Sequence, residues 1–171
     1  AHSIAGMMNF NMFGIPMVGP DICGYFETTN STEEFVQYEL CGRWIQASTF
    51  FPFARHNRDQ ENEQGGRGGN RNEPYKLPEP MNEWAQDAIH NRLQYVRQMY
   101  TCLFEASLQG QTCFDPLFFH YPLDNNTYSR IESTFVFANT LMVLPVTIPD
   151  AFFVTGYFPA GRWVDINDLS T

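Results

Sequence analysis

The chain has 171 residues, of which 43% are hydrophobic and 16% aromatic, and a formal net charge of −9. That length supports a domain-sized core, and the apolar fraction excludes a disordered chain. The acidic balance argues against a general affinity for nucleic acid or an anionic membrane surface, and no apolar run approaches the ~20 residues of a membrane span.

Residues 2–13 carry apolar groups at Ile4, Met7, Met8 and Phe13, a near-helical spacing that Gly14 ends. Ile15 to Val18 then reads as a buried strand running into Gly19-Pro20, with Asp21 at its mouth. An apolar run broken by Gly-Pro and followed at once by a carboxylate is how a barrel strand offers a polar group to a substrate. Residues 26–32 form a polar loop in which Ser31 or Thr32 caps a helix reaching Ser48, with Glu33 and Glu34 in its first turn where the helix dipole favours acids. Its inward positions are Phe35, Tyr38, Cys41, Trp44 and Ile45. Phe50 to Ala54 repeats the strand design and delivers Arg55 and His56 to the same kind of mouth. Strand, helix and strand, with polar groups only at the strand ends, predict adjacent units of a parallel β/α barrel.

Residues 57–82 change character, first glycine-rich and polar, then proline-rich. Their glycines lack the spacing of a phosphate cradle, so the stretch reads as a loop beside a site. Glu83 to Leu108 is the clearest helix, with a buried stripe expected at Ala85, Ile89, Leu93, Val96, Met99, Tyr100 and Leu103, Gly110 beyond its end, and His90 at its surface or boundary. From residue 113 the grammar turns to β. Cys113 to Pro122 reads as a connector with a short strand, residues 134–146 as two strands around Asn139-Thr140, and residues 152–158 and 162–165 as further strands about a turn at 159–161. The chain thus divides into a barrel part, 1–112, and the beginning of a β-domain, 113–171.

The four cysteines include no CxxC pair, and there is no HExxH, so neither a metal site nor a cofactor is expected. Asn30-Ser-Thr and Asn125-Asn-Thr are glycosylation sequons at Asn30 and Asn125, compatible with a secretory route.

Several stretches carry a resemblance: the block from Met7 to Gly24, Arg43-Trp-Ile-Gln46, Phe51-Pro-Phe-Ala-Arg55, Asp115-Pro-Leu-Phe118 and Tyr157-Phe-Pro-Ala-Gly-Arg-Trp163. Together they resemble the α-glucosidases of glycoside hydrolase family 31, in the group of the lysosomal acid and maltase-glucoamylase enzymes, over nearly the whole chain apart from 57–72. The resemblance implies an α/β fold: the C-terminal portion of a (β/α)8 TIM barrel, with strands 7 and 8 and their helices, followed by the start of an antiparallel β-sandwich. It implies a retaining hydrolase that releases terminal non-reducing α-linked glucose from oligosaccharides. Such chemistry uses two carboxyl groups about 5–5.5 Å apart.

The family's nucleophile motif, Trp-x-Asp-Met-Asn-Glu, and its acid/base motif, Gly-Asp-Asn, occur nowhere in these residues. No catalytic residue is therefore assigned to this chain; both groups are expected on sequence preceding Ala1. The other acids read as a helix start (Glu33, Glu34), a solvated loop (Glu61, Glu63) and a sandwich edge (Asp165, Asp168). The resemblance places Asp21, Tyr25, Arg55 and His56 in the substrate pocket. Asp21 either accepts hydrogen bonds from sugar hydroxyls or locks Arg55 in an ion pair, and both roles are compatible. Tyr25 either stacks on a sugar or packs. The family pattern Arg-Asn-His-Asn is here Arg55-His56-Asn57, with either one Asn deleted or the pair transposed, which leaves His56 either a sugar ligand or a loop anchor. A Cys23–Cys41 disulfide is implied, whereas the pairing of Cys102 and Cys113 stays open. The partners implied are an α-glucoside oligosaccharide and the remaining α-glucosidase segments, in a lysosomal, vacuolar or secreted setting. The alternative is a catalytically inactive relative that serves as a sugar-binding or interaction module. Two strands of an eight-stranded barrel leave open edges, so residues 1–171 alone are expected to be aggregated or molten.

Overall fold

The computed structural model describes residues 2–25, 34–57 and 73–168. Ser31, Thr32, Glu33, Asn30, Glu61, Glu63 and the 58–72 part of the loop lie outside the described residues.

Helix α1 (His2–Met12) buries Ile4, Met7, Met8 and Asn11. Phe13, expected on that face, lies past the helix end and is 78% exposed. Helix α2 (Glu34–Ser48) buries Cys41 and Ile45, with Tyr38 and Trp44 partly covered. Helix α3 (Met81–Gln109) packs along α2 and ends where Gly110 takes the left-handed conformation, φ 73°, that closes a helix without a Cβ penalty.

The buried face of α3 meets the expected stripe only at Ala85 and Met99, with Leu103 partly covered. Ile89, Leu93, Val96 and Tyr100 are exposed, while Met81, Ala85, Ala88, Met99, Cys102 and Ala106 are buried. At the α2 contact Gly42 leaves room for the large Met81 and Trp84 side chains, whose atoms lie 3.2 Å from where its Cβ would stand. The row Ile89, Leu93, Val96 and Tyr100 faces outward. His90 is exposed, as expected of a surface group.

The two mouth segments pair in parallel, but neither becomes a regular strand. Phe53 N donates to Val18 O at 3.2 Å and Ile22 N to Arg55 O at 2.9 Å, with a single parallel bridge between Asp21 and Arg55. Pro16, Pro20 and Pro52 remove ladder donors from both segments, which confines pairing to this short stretch. Ile22 is the fully buried anchor, and Val18 is partly covered. Ile15 and Met17, expected to be buried, are exposed.

The β part is a three-stranded antiparallel sheet in the order β1 (Phe114–Asp115), β2 (Phe135–Phe137), β3 (Leu141–Val143). Phe114 faces Phe137 across β1–β2, and Phe137 faces Leu141 across the hairpin. Ala138 and Asn139 both take left-handed backbone in that hairpin, the twist that matches paired strands. A short helix α4 (Leu117–His120) follows β1. Residues 152–158 and 162–165, read from sequence as strands, form none. Phe152 and Phe153 are 97% and 82% exposed, and nothing among the described residues pairs with these segments as a strand.

The core lies where α1, the segment after α2, and the sheet meet. Phe114 and Phe135 stack at 4.1 Å, and Phe51 sets its edge against Phe114 at 5.8 Å. Buried Asn11 joins α1 to β1: its Oδ1 accepts from Cys113 N at 3.1 Å and Phe114 N at 3.3 Å, and its Nδ2 donates to Met7 O. A Cys102–Cys113 disulfide fastens the end of α3 to the start of β1.

A second link joins α2 to the chain after β3. Glu39 Oε1 accepts from Arg43 Nε at 2.7 Å and from Asp150 N at 2.9 Å, while Arg43 Nη2 donates to Ala151 O. Burial alone pushes the Glu39 carboxyl up. The hydrogen bonds from Arg43 and Asp150 N–H, with the Arg43 charge, outweigh it and hold the group below its ordinary value of 4.5. A depressed carboxyl contributes stability that is present above its unfolded pKa and lost as pH falls through the folded value. Glu39→Gln is therefore expected to lower the melting temperature at pH 7 and to flatten the fall in stability below about pH 4.5, measured by thermal melts across pH. Equal losses at pH 7 and pH 3 would contradict it.

Candidate functional site

The mouth is built from two short segments and one turn. After Asp21 the chain reverses: Gly24 N donates to Asp21 O at 3.0 Å, and Cys23 takes the left-handed conformation, φ 68°. That conformation costs an ordinary residue roughly 1–2 kcal/mol, so it persists only where the surroundings hold it. The holding element is α2, since Cys23 and Cys41 form a disulfide with Cα atoms 4.7 Å apart. Cys41 is buried, so the turn carrying Asp21 is fastened to a fixed point in the core.

On the other segment, Phe53 and Arg55 follow the buried Phe51 and Pro52. Gly19 is where the two backbones touch. A Cβ there would lie 1.7 Å from Phe53 O and 2.6 Å from Phe53 C, so no other residue fits without displacing one segment. The result is an ion pair at the mouth: Arg55 Nε donates to Asp21 Oδ1 at 2.9 Å, with side chains 56% and 25% exposed. The Arg55 guanidinium also lies over the Phe53 ring, 5.8 Å from its centroid.

Chemically, this pair offers acceptors on one side and several N–H donors on the other, with no net charge. A carboxylate has about four lone-pair sites, so one bond from Arg55 leaves capacity for further donors. Such a set suits an uncharged ligand rich in hydroxyl groups. Tyr25, just past the turn, and His56, next to Arg55, are both exposed. Among the described residues no group of three or more His, Cys, Asp or Glu side chains could hold a metal ion.

Three contributors escaped sequence reasoning: Asn11, the Glu39–Arg43 pair, and Arg92 of α3, which donates to the carbonyls of Ser48, Thr49 and Phe51. A signal existed for Arg92. It falls in the row Ala85, Ala88, Arg92, Tyr95, Met99, a charge on a helical face otherwise apolar, which is normal only where the charge has partners.

Parallel segments that end in polar side chains, followed by an antiparallel sheet, fit part of a β/α barrel with a trailing β-domain. The family comparison is specific. Residues 1–102 match the TIM-barrel domain of the glycosyl hydrolases of family 31, and residues 110–171 match the C-terminal domain of the same family. The chain is 41% identical over 169 residues to a probable alpha-glucosidase of Oryza sativa subsp. japonica, covering 99% of this chain and 17% of that protein. It is 32% identical over 170 residues to the lysosomal alpha-glucosidase of Mus musculus, covering 99% of this chain and 16% of that one. Among solved structures it is similar to a GH31 dextranase of Flavobacterium johnsoniae complexed with glucose, with a TM-score of 0.82 and 26% identity over 98% of this chain and 20% of that chain. The chain belongs to glycosyl hydrolase family 31, and it spans about a sixth of the length of the curated relatives it matches.

Proposed function

We propose that these residues form one wall of the sugar pocket of a retaining α-glucosidase, with Asp21, Arg55, Tyr25 and His56 facing a terminal non-reducing α-linked glucose. In this reading Asp21 and Arg55 grip sugar hydroxyls, Tyr25 borders the next sugar, and His56 adds a contact beside Arg55. The nucleophile and the acid/base belong to polypeptide other than these residues, because the family's two catalytic motifs are absent from them. The barrel part is taken as 1–112 and the β-domain as beginning at 113. The observation that carries the reading is the Asp21–Arg55 pair: residues 34 apart in sequence, joined at the mouth of two parallel segments.

Two further features support a companion segment. The exposed Phe13, Ile15 and Met17 follow one another on the approach to the mouth, and Ile89, Leu93, Val96 and Tyr100 make an outward apolar row on α3. Apolar surface of that extent is ordinarily covered, and the preceding barrel half is the partner that fits the family fold. The two disulfides suit an oxidising compartment, so a lysosomal, vacuolar or secreted setting is proposed, with the Asn125 sequon exposed on the 3-10 turn Asn125–Arg130. No helix among the described residues is long and apolar enough to cross a membrane.

The test is glucose release from a short α-glucoside by the intact protein that carries these residues, with Asp21→Asn. Loss of one charged contact to the reacting sugar is expected to lower kcat/KM by about 10²–10³-fold. A variant within a factor of about three of the parent, well under that loss, would sink the reading. If the parent binds glucose but releases none, and mass spectrometry finds no polypeptide carrying the two missing motifs, the inactive sugar-binding alternative takes its place.

A further inference from the structure

We infer that Arg92 is a positioning residue for the mouth: its guanidinium, planted in α3, fixes the turn after α2 and thereby the line on which Arg55 approaches Asp21. The argument starts from unmet hydrogen-bonding groups. The last turn of a helix leaves carbonyls without intrahelical donors, and buried ones must find partners elsewhere. α2 ends at Ser48, and Ser48, Thr49 and Phe51 are all buried, so water cannot serve their carbonyls freely.

Arg92 serves all three. Its Nη1 donates to Ser48 O at 2.8 Å, Thr49 O at 3.1 Å and Phe51 O at 2.7 Å. Its Nη2 lies 3.8 Å from Met99 Sδ, which steadies the rest of the fork. The cation sits at the negative end of the α2 dipole, where it is favoured. Among the described residues no carboxylate pairs with it, so carbonyl dipoles alone answer its charge. Burial pushes its pKa down, but an arginine starts so high that it keeps its charge. Thr49 Oγ1 adds a bond to Ala88 O, one turn before Arg92 on the same helix.

The geometry downstream gives the clamp its consequence. Two residues beyond Phe51 O, Phe53 N bonds Val18 O, and two beyond that, Arg55 O takes the Ile22 N–H while its side chain reaches Asp21. Only Pro52, Phe53 and Ala54 lie between Phe51 and Arg55, so a shift at Phe51 passes along the chain to Arg55.

The effect on a sugar substrate rests on the proposed function; the effect on the mouth itself does not, and the experiment separates them. Arg92→Met and Arg92→Lys are made in the intact protein, and amide hydrogen exchange is followed at Phe53 and Ile22, with Met8 of α1 as reference. Arg92→Met is expected to speed exchange at Phe53 and Ile22 by about tenfold or more while Met8 holds its rate, the scale of a lost charge-assisted hydrogen bond. Arg92→Lys keeps the charge but not the planar fork and is expected to fall between parent and Met variant; where Arg92→Met fails to fold, the lysine variant decides. With an α-glucoside, KM is expected to rise more than kcat falls, because the change misplaces a gripping group. Uniform acceleration at all three amides, or no change at Phe53 and Ile22 in a folded variant, overturns the inference. An inactive parent defeats the proposed function and leaves the exchange result to judge Arg92.

Discussion

Gly19→Ala is expected to break the mouth apart. The added methyl would sit 1.7 Å from Phe53 O, against backbone on both sides, so no side-chain rotation relieves it. One segment must move by more than an ångström, and the neighbouring Phe53 N to Val18 O bond goes with it. Forced overpacking costs about 1–3 kcal/mol and occasionally more, and a clash with fixed backbone belongs at the upper end. If Asp21 and Arg55 grip the sugar as proposed, a displacement of about 1 Å also removes about two orders of magnitude in kcat/KM. Denaturant melts and glucose release by the intact protein check both. Gly6, inside α1 with nothing within 4 Å of its missing Cβ, is the control: Gly6→Ala should stabilise by up to about 1 kcal/mol. If both glycines tolerate alanine alike, the close approach of the segments is wrong.

Phe135→Ala carries the second large effect. Phe135 is fully buried, stacks on Phe114 at 4.1 Å and lies 6.4 Å from Phe51. Removing it opens a cavity in the cluster that supports both the sheet and the segment feeding Arg55, at a cost of about 3–5 kcal/mol. Phe152→Ala, at a side chain 97% exposed, should change stability by less than about 0.5 kcal/mol. Equilibrium unfolding of the two variants side by side tests this; equal effects would mean that the aromatic cluster is not the core of this part of the chain.

Local signals read well where one residue type solves a local problem. Gly14 and Gly110 stop helices, and the Asn139-Thr140 pair marks the hairpin. The approach of Asp21 to Arg55 was legible because both follow the same design, an apolar run with proline and then a charge. The face of α3 was misread because the largest apolar residues were assumed to be buried. Gly42 of its neighbour α2 instead receives the Met81 and Trp84 side chains, and the row Ile89, Leu93, Val96 and Tyr100 is left outward. Regular strands were expected at 15–18 and 50–54, but their prolines allow only a short ladder. The expected strands at 152–158 and 162–165 failed differently, since a strand needs a pairing edge, and the described residues supply none there. The polar links of Asn11 to β1 and of Glu39 to the Asp150 backbone leave no local signal, because each joins a side chain to backbone far away in sequence; Arg92 shows only as a charge on an apolar face, and its partners at the end of α2 do not show.

The most direct test of the central claim, that Asp21 and Arg55 together grip the sugar, is the structure of the intact protein with glucose bound. The Asp21 carboxylate and the Arg55 guanidinium should each stand within hydrogen-bonding distance of glucose hydroxyls, with the bond-breaking carboxylates contributed by polypeptide other than these residues. Glucose bound elsewhere, with Asp21 and Arg55 touching only each other, would contradict the account.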